Sequence, residues 1–350
     1  MTEPTSSLLY AEIREQPAVV RRLLEMEAAH AACMAASLAK QDIRYAVIAA
    51  RGTSDNAARY GQYIFGALNG LTVALATPSL YSVYRRPPRL DGALVIGISQ
   101  SGQSPDIVQV LEEAGRQGVP TVAITNEPAS PLAGAAQHVL ELHAGEERSV
   151  AATKTYSAQL AALALLSLSM LDRSLGLGPL ARIPDCMTEA LAAEPAARAA
   201  ARGIAGSDRC VVVGRGFNYC TAFEIALKMK ELAYVVTEPY SSADLMHGPL
   251  AMVEPGFPCI VVDVGASMRA EMAMLRDALR RQGASLVVLG DEPSARDPAG
   301  AWVPAPGGLP EWLTPLVAIV PGQLLAYHLA LARGGDPDRP RAIRKVTLTY

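Results

Sequence analysis

Six residues, Ser99-Gln100-Ser101-Gly102-Gln103-Ser104, place three hydroxyls and a glycine in one short stretch. An apolar, β-branched run, Ala93-Leu94-Val95-Ile96-Gly97-Ile98, precedes them and reads as a buried parallel strand. Pro105-Asp106-Ile107-Val108-Gln109-Val110-Leu111 follows and reads as a helix with proline in its first turn. The hydroxyls therefore fall in a strand-to-helix turn, where free backbone N–H groups and the positive end of the helix dipole favour an anion. No carboxylate lies between Asp91 and Asp106 to repel one. Ser99, Ser101 and Ser104 add neutral donors, and Gly102 lets the backbone approach closely. The chemistry is that of a phosphate cradle; the plainer alternative is a polar turn ending a strand.

A second group lies in Glu224-Ile225-Ala226-Leu227-Lys228-Met229-Lys230-Glu231-Leu232-Ala233-Tyr234, which reads as a helix. Glu224, Lys228 and Glu231 recur at i, i+4 and i+7 and share one face. On a solvated face these are two ion pairs. In a segment this apolar, a lysine between carboxylates also suits a tuned general base for proton abstraction beside a carbonyl. His247 precedes Gly248-Pro249, so it belongs to a loop or tight turn, where it is either structural or an acid/base group. The chain has only five lysines, Lys40, Lys154, Lys228, Lys230 and Lys345, among 31 basic residues. Lysine kept where arginine is the rule hints at a need for a compact, titratable amine, though chance gives the same pattern.

The elements that must position these groups repeat. In the first half, strands are expected at 45–50, 71–75, 93–98, 120–125 and 139–142, alternating with helices that include one running from the turn at 51–56 to about Leu68 and another at 154–171. Residues 6–40 carry apolar positions at helical spacing, with Pro17 near the start of a second helix. A doubly wound, mostly parallel α/β sheet is expected. Ligands bind such sheets beyond the carboxyl ends of the strands. Gly52-Thr53-Ser54, the Ser99–Ser104 turn and the helix start at Ser149–Lys154 are three turns that could converge there. Leu175-Gly176-Leu177-Gly178-Pro179 reads as a linker, followed by a helical stretch at 184–205. The pattern then begins again. Cys259–Asp263 parallels the strand before the serine turn, and Gly283–Pro293 parallels Gly118–Pro128, both at an offset of 165 residues. Arg209–Gly216 parallels Arg44–Gly52 one residue short of that offset. This is a duplicated domain. Its second copy has Val264-Gly265-Ala266-Ser267-Met268-Arg269 in place of the serine turn, so one phosphate site per chain is expected. The expected organisation is a helical segment 1–40, a phosphate-binding domain 41–178, a second domain 179–333 and a tail 334–350.

Composition narrows the function classes. A net charge of −3 gives no basic patch and no reason to expect nucleic acid. Cys33, Cys186, Cys210, Cys220 and Cys259 are scattered without a C-x-x-C pair, as expected of reduced thiols acting as small buried hydrophobes. The five histidines show no metal-ligand spacing, so no metal or cofactor is expected. The N-terminus, Met1-Thr2-Glu3-Pro4, starts no signal peptide. The longest nearly apolar run noted, Ala158 to Leu171, is too short to cross a bilayer, so a cytoplasmic protein with no membrane partner is expected.

Taken together, Gly52-Thr53-Ser54, Ser99–Ser104, Val150-Ala151-Ala152-Thr153-Lys154, Leu227-Lys228-Met229-Lys230-Glu231, His247-Gly248-Pro249-Leu250 and the tail Pro340–Val346 resemble the sugar isomerase (SIS) domains of glucosamine-6-phosphate synthase. The synthase's glutaminase domain has no counterpart in the sequence. The resemblance implies two tandem SIS domains of α/β class with a C-terminal tail. It implies that Gly52, Thr53, Ser54, Ser99, Gln100, Ser101 and Ser104 bind a sugar phosphate, and that Val150 and Ala152 meet the sugar chain. Glu231 matches a base that moves a proton between C1 and C2, and Lys228 a lysine beside the substrate. His247 matches a ring-opening histidine donated by the neighbouring subunit of a homodimer. Lys345 matches a lysine that forms a Schiff base with the ketose. Ala152 departs from the synthase's serine, and the tail is shifted by one residue around Val346-Thr347. SIS pairs without glutaminase most resemble the second type of glucosamine-6-phosphate deaminase. The implied activity converts glucosamine 6-phosphate to fructose 6-phosphate and ammonia. The alternatives are a deglycase of sugar–amine 6-phosphates, an ammonia-dependent synthase, or a sugar-phosphate sensor without turnover.

Overall fold

The computed structural model describes residues 7–171, 177–293, 300–343 and Lys345. The first half runs α1 (Leu8–Leu38), β1 (Tyr45–Ala49), α2 (Thr53–Asn69), β2 (Thr72–Leu75), α3 (Ser79–Ser82), β3 (Ala93–Ile98), α4 (Pro105–Arg116), β4 (Thr121–Thr125), α5 (Pro131–Gly134), β5 (His138–Glu141) and α6 (Lys154–Met170). The second half runs α7 (Gly178–Ala181), α8 (Ile183–Leu191), α9 (Glu194–Ile204), β6 (Arg209–Gly214), α10 (Tyr219–Lys228), β7 (Val236–Ser241), α11 (Ser242–Met246), β8 (Pro258–Asp263), α12 (Arg269–Arg281), β9 (Ser285–Gly290), β10 (Ala301–Pro304) and α13 (Thr314–Ala332).

The chain divides into two compact units. One comprises the described residues within 18–147, 154–181 and 344–350. Its five-stranded parallel sheet has the order β2-β1-β3-β4-β5, with Tyr45 opposite Ala93 and Ala49 opposite Gly97. Alternate side chains point to opposite faces, and both faces are covered. On one face α2 packs against α6, and Gly61 lets α2 lie close on β1: a Cβ there would stand 2.5 Å from Ile48 Cδ1. On the other face α3, α4 and α5 cover Val47, Ala93 and Val95.

The other unit comprises the described residues within 1–17, 148–153 and 182–343. Its sheet, β10-β9-β8-β6-β7, repeats the first order element for element when read from β7. Helices α8, α9, α10 and α13 pack together, and Gly322 brings α13 against Ile225 of α10. Helix α12 and Leu245 of α11 cover Val211, Val213, Cys259 and Val261 on the opposite face. The strand β8 begins and ends 165 residues after β3, as the sequence offset requires.

Several expectations need correction. Pro17 starts no second helix; α1 is continuous through it. Proline lacks the N–H that would bond the Ile13 carbonyl, and the Gln16 side chain supplies a substitute, with Nε2 2.8 Å from Ile13 O. The helical stretch expected at 184–205 is present, divided into two helices, the second with Pro195 in its first turn. The sequence reading missed the edge strand β7, which tolerates Pro239 because an edge residue need not donate to a neighbour. It also missed α13. The stretch Glu311–Ala332 is long and apolar enough to cross a membrane by composition, yet 89% of its most apolar window is buried inside the protein. Cys33 is exposed, whereas the other four cysteines are buried. Of the linker Leu175–Pro179, Leu175 and Gly176 lie outside the described residues, as do Met1-Thr2-Glu3-Pro4.

Candidate active site

In the first sheet the strand order reverses between β1 and β3. The chain leaves these neighbouring strands toward opposite faces, into α2 and α4, the topology at which sheets of this kind take ligands beyond the carboxyl ends of their strands. Two of the three predicted turns, Gly52–Ser54 and Ser99–Ser104, stand there; Ser149–Thr153 belongs to the other compact unit. In the loop after β3, the Gly102 N–H donates to Ser99 Oγ (3.1 Å) and the Gln103 N–H to Ser101 Oγ (3.3 Å). Each hydroxyl thus accepts from its own loop and keeps its O–H for a ligand. Gly102 has φ +61°, and a Cβ there would collide with Ser130 Oγ at 2.1 Å. Gln100 O accepts the Asn126 N–H at 3.1 Å, fixing the loop to the end of β4. Ser104 is the N-cap of α4 without a side-chain capping bond. After β1, Gly52 (φ 54°) caps α2 and Thr53 opens it. Ser54 is turned to the interior, where its hydroxyl accepts from Gln159 Nε2 at 2.9 Å.

The terminus of α4 is less simple than the sequence indicated. Asp106, at the second helical position, is buried, and its Oδ2 receives Arg51 Nε (2.8 Å) and Nη2 (2.7 Å). The turn itself carries no carboxylate, as the sequence indicated, but Asp106 just past it does, and an arginine from the β1 loop neutralises that charge. The second unit repeats the pair at the equivalent positions, with Arg215 Nε 3.2 Å from Glu271 Oε1. That repetition was the available sequence signal for both. In the second copy the loop N–H groups are taken by carboxylates: Gly265 N donates to Asp291 Oδ2 (3.2 Å) and Ser267 N to Glu311 Oε1 (2.5 Å).

Lys345 also belongs to the first-described unit. Its Nζ lies 2.7 Å from Glu147 Oε2, a buried carboxylate that also accepts the N–H (3.1 Å) and hydroxyl (2.7 Å) of Thr155. Glu147 was not among the residues singled out from sequence. Asn126 steadies the turn leading to it, accepting from Ala144 N and donating to Gly145 O, both at 2.9 Å. Val346 and Thr347, where the tail shift falls, lie outside the described residues.

In the other unit, α10 ends at Lys228 and Met229–Ala233 forms a π-helical turn closed by Tyr234 in the left-handed region (φ 55°). The predicted α-helix therefore changes pitch before Glu231. Lys228 Nζ still meets both carboxylates, at 3.4 Å from Glu224 Oε1 and 2.6 Å from Glu231 Oε2. The Lys228 and Glu224 side chains are 1% and 0% exposed, and that of Glu231 is 24% exposed. Glu231 is thus the carboxylate of this cluster that solvent or a ligand can reach. His247 follows the one-turn helix α11 in an exposed turn, as its Gly-Pro context indicated. Val150 and Ala152, both partly buried, lie in a segment tied to α1: Glu12 Oε1 accepts Arg148 N (2.5 Å), and Glu12 Oε2 accepts Ser149 N (3.2 Å) and the Ser149 hydroxyl. Among the described residues, no cluster of three or more His, Cys, Asp or Glu side chains could hold a metal ion.

Comparison with known proteins places these features. The SIS domain model matches residues 38–169 and 203–332. The isomerizing glutamine–fructose-6-phosphate aminotransferase of Pyrococcus horikoshii is 36% identical over 341 residues, covering 95% of this chain and 56% of that protein. The chain thus spans about half the length of the curated relatives it matches. A candidate phosphosugar isomerase from Silicibacter pomeroyi superposes with a TM-score of 0.86 at 36% identity, over 95% of this chain and 100% of that one. A glucosamine-6-phosphate deaminase from Thermotoga maritima shares the fold at a TM-score of 0.75 and 21% identity, covering 98% of this chain and 100% of that one. The expected special likeness to deaminases is therefore not what similarity favours; the aminotransferase and the Silicibacter protein are more alike in sequence.

Proposed function

The chain belongs to the SIS-domain family, and on that premise we propose that it is an isomerase and deaminase of a phosphorylated amino sugar, converting glucosamine 6-phosphate to fructose 6-phosphate and ammonia. The observation that carries the reading is the Glu224–Lys228–Glu231 cluster, a buried ammonium fixed beside one accessible carboxylate. Such a carboxylate is placed to accept a proton from carbon beside a carbonyl.

The steps balance without an added cofactor. His247 shuttles the proton that opens the pyranose to the aldehyde. Glu231 removes the C2 proton, leaving an enolamine, and returns it to C1. The product is a ketose with an imine at C2. Water adds at C2 and ammonia leaves, giving fructose 6-phosphate. Ser99, Gln100, Ser101 and Ser104, with Gly52 and Thr53, hold the phosphate, so binding energy remote from C1 and C2 orients the reacting carbons. Val150 and Ala152 line the sugar. Lys345 serves the ketose, and its pairing with Glu147 keeps its ammonium in a fixed place. His247, exposed within its own chain, acts in the neighbouring subunit of a homodimer.

Incubation with glucosamine 6-phosphate and assay of ammonia tests the reading. Turnover is expected, and Glu231→Gln should reduce kcat by about 100- to 10,000-fold, the usual contribution of a general base. Binding of the sugar without ammonia release would leave the sensor alternative in place of catalysis.

A further inference from the structure

We propose that Arg51 is a phosphate-binding residue, gripping the anion held by the Ser99–Ser104 loop with the guanidinium edge that Asp106 does not use. The proposal rests on the reading of that loop as a phosphate cradle. A guanidinium carries five N–H donors in a rigid fork. Nε and Nη2 of Arg51 are both spent on Asp106 Oδ2, at 2.8 and 2.7 Å, and the donors on Nη1 take no part in that contact. The Arg51 side chain is 49% exposed, whereas that of Asp106 is 1% exposed. Asp106 stands two residues past Ser104, so it fixes the guanidinium beside the helix terminus that closes the hydroxyl loop.

Charge makes the arrangement necessary. The hydroxyls and backbone N–H groups of the cradle are neutral. Asp106 adds a negative charge at the same terminus, where a phosphate dianion would meet repulsion. Arg51 offsets that charge and still has donors to spend, and an arginine–phosphate hydrogen bond is of the strong, charge-assisted kind. The second copy supplies an internal control. Arg215 and Glu271 form the same pair, but the hydroxyl loop is gone and Asp291 and Glu311 hold the loop N–H groups. The arginine–carboxylate strut therefore exists without an anion site, and the anion contact is what the first copy adds.

The test is the dissociation constant of inorganic phosphate, measured on the full chain by 31P line broadening without any turnover. Arg51→Ala and the double variant Arg51→Ala/Asp106→Asn are each expected to weaken binding about tenfold or more. Arg215→Ala is expected to bind phosphate as the unaltered chain does. The double variant leaves no unpaired buried carboxylate, so it keeps the test decisive should Arg51→Ala unfold; thermal unfolding reports which variants are folded. Unaltered affinity in the double variant would mean that Arg51 only neutralises Asp106, and would overturn the proposal. An equal loss in Arg215→Ala would make the effect scaffolding and overturn it too. If the unaltered chain binds no phosphate, the cradle reading itself fails and takes this inference with it. Failure of the deaminase reading alone leaves the phosphate measurement untouched.

Discussion

At the scale of single residues, the costly feature is the Lys228 ammonium, enclosed with Glu224 and opened to solvent only on the Glu231 side. Removing one member of a buried ion cluster is more damaging than removing the cluster, because a desolvated charge is left uncompensated. Lys228→Met is therefore expected to lower stability by about 3–5 kcal/mol in urea unfolding. The double variant Lys228→Met/Glu224→Gln should recover most of that loss while kcat stays depressed, since Glu231 still lacks its fixed counter-ion. Recovery of kcat together with stability would reduce Lys228 to a structural role. The i, i+4, i+7 spacing announced the shared face. It gave no sign of the π-helical turn, because the extra residue per turn depends on what Met229–Ala233 pack against rather than on their types.

Elements show where packing overrode local preference. Gly97 sits one residue from the end of β3, where a Cβ would lie 2.6 Å from Leu111 Cδ1 and 3.0 Å from Leu132 Cδ1. Both leucines are fully buried, so Gly97→Ala is expected to cost about 1–3 kcal/mol of stability by overpacking, read from the denaturation midpoint. Helix α13 carries a buried titratable group, His328, with Nε2 3.3 Å from Glu194 Oε1. That contact is close without being aligned as a hydrogen bond. Burial holds the His328 pKa below the ordinary histidine value, and the opposing pull of Glu194 is the smaller effect. The sign follows from linkage. As pH falls below about 6.5, the unfolded chain takes up this proton before the folded chain does, so stability decreases. The melting temperature should be lower at pH 5.5 than at pH 7.5, and His328→Asn should flatten part of that difference. A difference of the same size in the variant would assign the acid sensitivity to other groups.

At the scale of the whole molecule, duplication supplied two equivalent sets of strand-end loops and then specialised one. Both sheets keep the same strand order and the same arginine–carboxylate strut. The first keeps Ser99, Ser101 and Ser104 in the loop after its third strand, while the second retains Ser267 alone of such hydroxyls and gives its loop N–H groups to its own carboxylates. The exposed position of His247 supports its proposed use by a second subunit. Mixing Glu231→Gln chains with His247→Ala chains should then restore activity that neither variant shows alone, at about a quarter of the unaltered rate for random pairing into two-fold dimers. No rescue after mixing and re-equilibration would place His247 and Glu231 in the same chain's site.

The sequence by itself determined the periodic features: the parallel strands, the 165-residue repeat, the serine turn at a strand end and the Glu–Lys–Glu face. Each is written in the order and spacing of neighbouring residues, which covalent geometry turns directly into local structure. Only the tertiary structure decided which charges meet. Arg51 with Asp106, Lys345 with Glu147 and Glu12 with Arg148–Ser149 are separated by 55 to 198 residues in the chain. Their pairing depends on burial, where an uncompensated charge cannot remain, and burial is a property of packed elements rather than of sequence spacing.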